Sequence, residues 1–181
     1  MGAVDDRLAA AGIELPEAPP PAAAYVPWTR TGNLVFTAGQ IPVKDGSPIS
    51  TGKVGAEVSL EEGQAAARQC AINVLAQLKA ATDGDLDRIA RIVKITVFVA
   101  SAPDFAQQHL VANGASELLG EILGDEVGRH ARSAVGTAVL PLDVPVDVEA
   151  VAELSLNGLW SNSGETGCGR TQLKRAVVEL R

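Results

Sequence analysis

The chain has few of the residues that bind metals or stack against nucleic-acid bases. Of its 181 residues two are cysteines, two are histidines and 3% are aromatic. Cys70 and Cys168 form no CxxC pair, and His109 and His130 are far apart, so we expect a reduced protein without a zinc site. The net charge is −7. Nucleic-acid binding needs a basic surface, often with stacking aromatics, and this composition argues against it.

Other common signals are also missing. No apolar run approaches the roughly 20 residues of a membrane-spanning helix. The first residues contain the acidic pair Asp5-Asp6, where an export signal needs basic residues. No phosphate-binding glycine loop, GxGxxG fingerprint or nucleophile elbow occurs. We therefore expect a cytoplasmic protein that needs no cofactor or metal and contacts neither membrane nor nucleic acid.

Apolar periodicity and turn residues predict one domain over residues 1–154. Thr31-Gly32-Asn33 indicates a hairpin turn between two strands, and Ser59 with Glu62 forms a capping box that opens a helix. A second capping box, Ser101 to Asp104, predicts the start of another helix. The remaining predictions are a helix over Ser59–Thr82, a strand over Ile89–Ala100, a second helix ending near Gly124 with Asn113-Gly114 interrupting it or delaying its start, a loop over Gly124–Gly128, and strands over 131–140 and 145–153.

This order predicts an α/β fold with a mixed sheet and two helices on one face. Two helices cannot cover both faces, so we expect oligomerisation to cover the other. Cys70 lies on the apolar stripe of the first helix and is expected in the core. Residues 155–181 are rich in Gly, Ser, Asn and Thr and predict a flexible tail, or one foreign to the domain.

Charged residues interrupt the last two predicted strands. Arg132 has small neighbours on its own strand face, and Asp147 and Glu149 share a face in the next strand. A guanidinium binds a carboxylate through two parallel hydrogen bonds, and a nearby carboxylate can activate water. A binding site for a small carboxylate is one interpretation. A structural Arg–Asp or Arg–Glu pair that joins strands or subunits is the other.

Four stretches of the chain together resemble the RidA/YjgF family, whose members were formerly called endoribonuclease L-PSP. The last of them carries the family signature, in which Arg-Ser is followed by Leu-Pro and then by an acidic residue between aliphatic ones. The resemblance covers about residues 5–154. The stretches are AYVPWTRTGNLVFTAGQIPV, KITVFVASAPDF, VANGASELLGE and HARSAVGTAVLPLDVPVDVEAVA.

The resemblance implies a chorismate-mutase-like homotrimer with ligand clefts between subunits. It also implies hydrolysis of reactive 2-imino or enamino acids to 2-oxo acids and ammonia. Arg132 would bind the substrate carboxylate and Asp147 would position the attacking water. The other matching positions imply a substrate-binding role for Tyr25, Gly39, Asn113 and Ala134.

Several positions depart from the family pattern. Ala134 replaces a cysteine, Asp147 replaces a longer glutamate, and Ala38 replaces a polar residue. These departures leave open a non-catalytic trimer that binds small carboxylates as a sensor or regulatory module. Glu149 is a second candidate for the acidic role. His130 could line the cleft, but we expect it to be an exposed loop residue.

Overall fold

A five-stranded mixed sheet, covered by helices on one face, forms the framework of the protein. In the computed structural model, which describes residues 2–18 and 23–155, the strand order is β1-β2-β7-β5-β6, and only the β5–β6 pair is parallel. The elements are α1 (Ala3–Ala10), β1 (Trp28–Thr31), β2 (Leu34–Thr37), β3 (Val43–Lys44), β4 (Ser47–Pro48), α2 (Leu60–Ala81), β5 (Ile89–Ala100), α3 (Gln108–Val111), α4 (Asn113–Leu123), α5 (Asp125–Gly128), β6 (Ala131–Thr137) and β7 (Val146–Leu154), with 3₁₀ turns at Leu86–Arg88 and Pro141–Asp143.

Local signals account for the elements that the sequence predicted correctly. Gly32 adopts a φ of 58° in the turn between β1 and β2, a conformation that glycine reaches without strain. At the start of α2 the Glu62 N–H donates to the Ser59 hydroxyl at 3.1 Å. The Ser59 N–H donates to the Glu62 carboxylate at 2.8 Å. The predicted hairpin, capping box and long helix are confirmed, as is strand β5.

The core lies between the sheet and helices α2 and α4. In β7 every second side chain, from Val146 to Leu154, is buried against these helices. The side chains between them, including Asp147 and Glu149, point to the other face, which we call the open face. Phe36 and Val135 also lie there and are each more than a third exposed. The two-layer arrangement predicted from the sequence is confirmed.

Two local predictions were wrong, and one helix was not predicted. The Ser101–Asp104 capping box begins no helix, because Ser101 forms a bridge with Val54 and the first helical residue after it is Gln108. The predicted loop after Gly124 contains the helical turn α5. Helix α1 was not predicted; its Val4 and Leu8 are buried in the core.

Two findings concern the predicted C-terminal tail and the lengths of the described helices. The predicted tail, residues 155–181, lies outside the described residues apart from Ser155, whose N–H donates to the Arg88 carbonyl oxygen at 2.8 Å. Within residues 2–18 and 23–155, no helix is both long and apolar enough to cross a bilayer.

The glycine of the Asn113-Gly114 pair serves close packing between helices. Helix α4 begins at Asn113, as one of the two sequence alternatives predicted, and Gly114 lies in its first turn. A Cβ atom at Gly114 would overlap the carbonyl oxygen of Gln64 in α2. The absence of a side chain therefore lets α4 approach α2 and sets the position of the whole first turn of α4.

We expect Gly114→Ala to lower the free energy of unfolding by about 1–3 kcal/mol, because the added methyl group must push α4 away from α2. Gly120→Ala is the matched control in the same helix. Its Cβ would have no neighbour closer than 4.0 Å, so it should raise stability by about 0.5–1 kcal/mol. Urea unfolding followed by circular dichroism measures both, and equal effects of the two substitutions would contradict the packing argument.

Candidate functional site

Arg132 lies on edge strand β6 and points to the helix-covered face of the sheet. Its register partner in β5 is the fully buried Ile95. Three oxygen atoms hold the guanidinium. Nη1 donates to Asn113 Oδ1 and to Ser116 Oγ, both at 3.0 Å, and Nη2 donates to the His109 carbonyl oxygen at 3.0 Å. The start of α4 therefore orients this side chain.

All three acceptors are electrically neutral. Among the described residues, no carboxylate lies within 4.0 Å of the Arg132 guanidinium. The three bonds use three of its five N–H donors and leave Nε–H and one Nη2–H without a partner in the described part of the chain. These two nitrogens share one edge of the guanidinium plane. That edge can bind a carboxylate through two parallel hydrogen bonds.

An open cleft of about 500 Å³ adjoins Arg132. Ser116 and His130 line it together with Arg132, and its rim carries acidic residues from α4 and α5. His130 Nδ1 lies 2.6 Å from the Gly128 carbonyl oxygen, and Nε2 lies 3.0 Å from Ser116 Oγ. His130 lies in the loop between α5 and β6, as predicted. The prediction that it is exposed was wrong, because it is half-buried and bonded on both sides of its ring.

Asp147 and Gly39 meet on the open face of the sheet. A Cβ atom at Gly39 would lie 2.5 Å from Asp147 Oδ1, so a side chain at this position would displace the carboxylate. Asp147 Oδ1 is buried and has no hydrogen-bond partner among the described residues. Burial raises the pKa of Asp147 to about 6, and the nearby Glu149 carboxylate adds to the rise, while the Val148 backbone N–H opposes it. At neutral pH the carboxylate is mainly ionised and can accept a proton.

Arg132 and Asp147 do not meet within one chain. Both β6 and β7 pair with β5, which lies between them, so a direct contact between these two strands is excluded. Asp147 pairs with Phe98 on the open face, whereas Arg132 pairs with Ile95 on the covered face. The expectation that the two strands could bring guanidinium and carboxylate together is therefore wrong for a single copy. The same geometry excludes a structural ion pair between Arg132 and Asp147 within one chain.

The remaining predicted site residues occupy three different environments. Tyr25 is exposed in the loop before β1. Ala134 is half-buried and packs against the core on the same face as Arg132. Glu149 lies on the open face, opposite Thr96 of β5. Of the predicted set, the structure brings together Arg132 with Asn113 and, separately, Asp147 with Gly39.

Cys70 is fully buried in the core, as predicted. Its thiol donates to the Val146 carbonyl oxygen at 3.5 Å. Burial raises the pKa of the Cys70 thiol well above its usual value, and the Asp147 charge adds to this. A thiol that stays protonated is a poor nucleophile. Across the described residues, no cluster of three or more His, Cys, Asp or Glu side chains could hold a metal ion.

Sequence reasoning missed Ser116 as part of the site. It lies three residues after Asn113, a spacing that puts both side chains on one face of α4. That spacing was a usable signal. The contact of Ser116 with His130 could not be predicted from the sequence, because it depends on how α4 packs against a segment 14 residues later in the chain.

Comparison with known proteins extends these observations. Residues 5–154 match the family model described as "YjgF/chorismate_mutase-like, putative endoribonuclease". The chain is 49% identical over 154 residues to protein TCP17 of Trypanosoma cruzi, which covers 85% of this chain and 96% of that one. It is 36% identical over 140 residues to the 2-iminobutanoate/2-iminopropanoate deaminase of Escherichia coli K12, covering 77% and 94%.

A solved structure gives the same result for the fold. The crystal structure of Atu1372 from Agrobacterium tumefaciens, a protein of unknown function, superposes with a TM-score of 0.79 at 48% identity, covering 84% of this chain and 93% of that one. The resemblance seen in the sequence motifs is thereby confirmed over the whole domain. The chain belongs to the YjgF/RidA family, with the family's chorismate-mutase-like fold.

Proposed function

We propose that this protein hydrolyses small 2-imino acids, and their enamino tautomers, to 2-oxo acids and ammonia. The observation that carries the proposal is the state of Arg132. Three neutral oxygens hold its guanidinium in place, and no carboxylate among the described residues neutralises it. An oriented guanidinium with an open edge suits the carboxylate that every 2-imino acid carries. The name of the Escherichia coli relative supports the same substrate class.

Hydrolysis requires an activated water molecule and a proton acceptor. The water oxygen attacks the carbon of the protonated imine while one water proton passes to the Asp147 carboxylate, which gives a carbinolamine. Asp147 returns that proton to the nitrogen. As the C–N bond breaks, ammonia leaves with the electron pair, the hydroxyl proton passes to Asp147 and the C=O bond of the 2-oxo acid forms. Ammonia then takes this proton and leaves Asp147 ionised. A carboxylate whose pKa is raised to about 6 is a stronger base than an ordinary aspartate and is still ionised at neutral pH. Positioning and charge supply the rest of the catalysis.

The cleft that we propose lies between copies of a homotrimer. Arg132 and Asp147 lie on opposite faces of one sheet, so a site that uses both needs two copies of the chain. The open face carries exposed apolar side chains such as Phe36 and Val135, which association would bury. In this arrangement one copy supplies Arg132 and the next supplies Asp147 with Gly39.

A non-catalytic trimer that binds small carboxylates is the second candidate. Two observations favour it. Ala134, where the family pattern has a cysteine, packs against the core. The Asp147 carboxylate lies close to Gly39, and its Oδ1 atom is buried. Such a protein would keep the Arg132 anchor and lack the reactive water.

Arg132→Ala should lower kcat/KM for 2-iminopropanoate about a hundredfold or more, because the substrate loses its bidentate anchor. The imine is generated with an amino-acid oxidase, and the surviving imine is trapped with semicarbazide. Arg30→Ala is the matched control, since among the described residues the Arg30 side chain donates only to the Gly32 carbonyl oxygen in the β1–β2 turn. If the wild-type protein binds 2-oxobutanoate but does not accelerate hydrolysis for several side-chain sizes, the second candidate is correct.

The activity should depend on the ionised form of Asp147. Because burial raises the pKa of Asp147 to about 6, kcat should be highest above that pH. Below it, kcat should fall about tenfold per pH unit. Asp147→Asn should abolish this dependence and most of the rate while the melting temperature is kept or raised, since a buried charge is removed. A full rate in Asp147→Asn would assign the proton transfer elsewhere, with Glu149→Gln as the next variant.

A shared cleft predicts complementation between two inactive variants. Arg132→Ala and Asp147→Asn chains are co-expressed with different tags, and mixed trimers are isolated by two affinity steps. One of the three clefts in every mixed trimer then combines an intact Arg132 with an intact Asp147, so activity should return to about a third of the wild-type rate. Light scattering measures the mass of the assembly. Mixed trimers without activity would contradict a cleft that uses both residues, and a single-chain mass would contradict the trimer.

A further inference from the structure

We propose that Ser116 and His130 are positioning residues that hold the Arg132 guanidinium in its carboxylate-binding orientation through a one-way hydrogen-bond chain. The inference rests on the proposed function, because it concerns the same guanidinium. Neither residue needs to touch the substrate. Ser116 Oγ lies 3.0 Å from Arg132 Nη1 and 3.0 Å from His130 Nε2, so one hydroxyl joins the two side chains.

The direction of each bond follows from the far end of the chain. The Gly128 carbonyl oxygen can only accept, so the His130 Nδ1 atom at 2.6 Å carries the proton. A neutral ring then leaves Nε2 as an acceptor. A guanidinium can only donate, so Ser116 must accept from Arg132 and give its own proton to His130. Every donor and acceptor along this chain is used once, in one direction.

The position of Ser116 in its helix favours a positioning role. Serine within a helix commonly bonds back to a carbonyl oxygen of the preceding turn. Here the hydroxyl points outward to Arg132 and His130, two side chains on a different segment. Asn113, one helical turn earlier, holds the same Nη1 atom at 3.0 Å. Two residues on one helix face therefore fix the guanidinium plane, and His130 fixes one of those two.

Protonation of His130 breaks this arrangement. Its Nε2 would become a donor, and Ser116 would have to accept from two cations at once. Burial lowers the pKa of His130, the Arg132 charge lowers it further, and the Gly128 carbonyl opposes both. The ring is thus neutral at pH 7 and becomes charged only when the pH falls below the ordinary pKa of histidine. The other charged groups that line the same cleft are Glu117 and Glu121 from α4, Asp125 from α5 and the adjacent Arg129, and Glu121 is already paired with Arg68 at 3.0 Å.

The first test measures the affinity of the full chain for 2-oxobutanoate by titration calorimetry at pH 7.5. Ser116→Ala should weaken binding about fivefold to tenfold, because Arg132 loses one of its three oriented bonds. Ser116→Thr restores the hydroxyl and should recover the affinity to within about twofold. Ser47→Ala, an exposed serine in the β3–β4 hairpin, is the matched control. In imine hydrolysis, Ser116→Ala should raise KM by the same factor and leave kcat unchanged.

The second test follows the pH dependence of binding in an Asp147→Asn background, which removes the other titrating group of the site. Between pH 7.5 and pH 5, affinity should fall with His130 present and stay constant in His130→Phe. Nitrogen NMR should find the proton of the neutral His130 ring on Nδ1. This readout needs no activity and remains available if Ser116→Ala fails to fold.

The outcomes separate this proposal from the proposed function. Binding that needs Arg132, without any imine hydrolysis, overturns the deaminase function and leaves the positioning role to be judged by the Ser116 and His130 variants. A fall in kcat with unchanged KM, no rescue by Ser116→Thr, or an unchanged pH dependence in His130→Phe overturns the positioning role alone. Absence of binding, or binding that ignores Arg132, overturns both.

Discussion

Burial of one sheet face against α2 and α4 determines on which side of the sheet Arg132 and Asp147 lie. Because strand side chains alternate, the burial of Val146 and Val148 turns Asp147 to the open face. In β6 the same alternation turns Arg132 toward the helices, in register with Ile95. One apolar contact surface therefore places the guanidinium and the carboxylate on opposite sides of a single layer, and a site that uses both must extend over two copies of the chain.

The position of β6 at the sheet edge explains how a strand can carry an arginine on its buried face. In a central strand this guanidinium would lie in the core, where an unpaired charge is costly. At the edge, the guanidinium reaches the start of α4, where Asn113, Ser116 and a backbone carbonyl oxygen accept its hydrogen bonds. Gly114 contributes indirectly, because it allows α4 to begin at this place.

The sequence predicts what depends on neighbouring residues and fails where distant segments compete. The hairpin turn, the α2 capping box and the β-branched strand β5 are all local signals, and all were predicted correctly. The capping box at Ser101 failed because pairing with Val54, 47 residues earlier, holds that segment in an extended conformation. His130 was expected to be exposed because its bond to Ser116 depends on how α4 packs. Family resemblance identified Arg132, Asn113, Gly39 and Asp147 as candidates, but only the strand order separated them into two groups.

The strand order also bears on how the chain acquires its structure. Strand β7, the last of the strands that the structure describes, lies between β2 and β5 and joins the β1–β2 hairpin to the rest of the sheet. During synthesis the earlier strands cannot form the finished sheet until residues 146–154 have left the ribosome, and such long-range pairings form slowly. Until then β2 and β5 each present an unpaired edge, a state that favours aggregation or chaperone binding. A late central strand therefore makes formation of the sheet depend on the synthesis of residues 146–154.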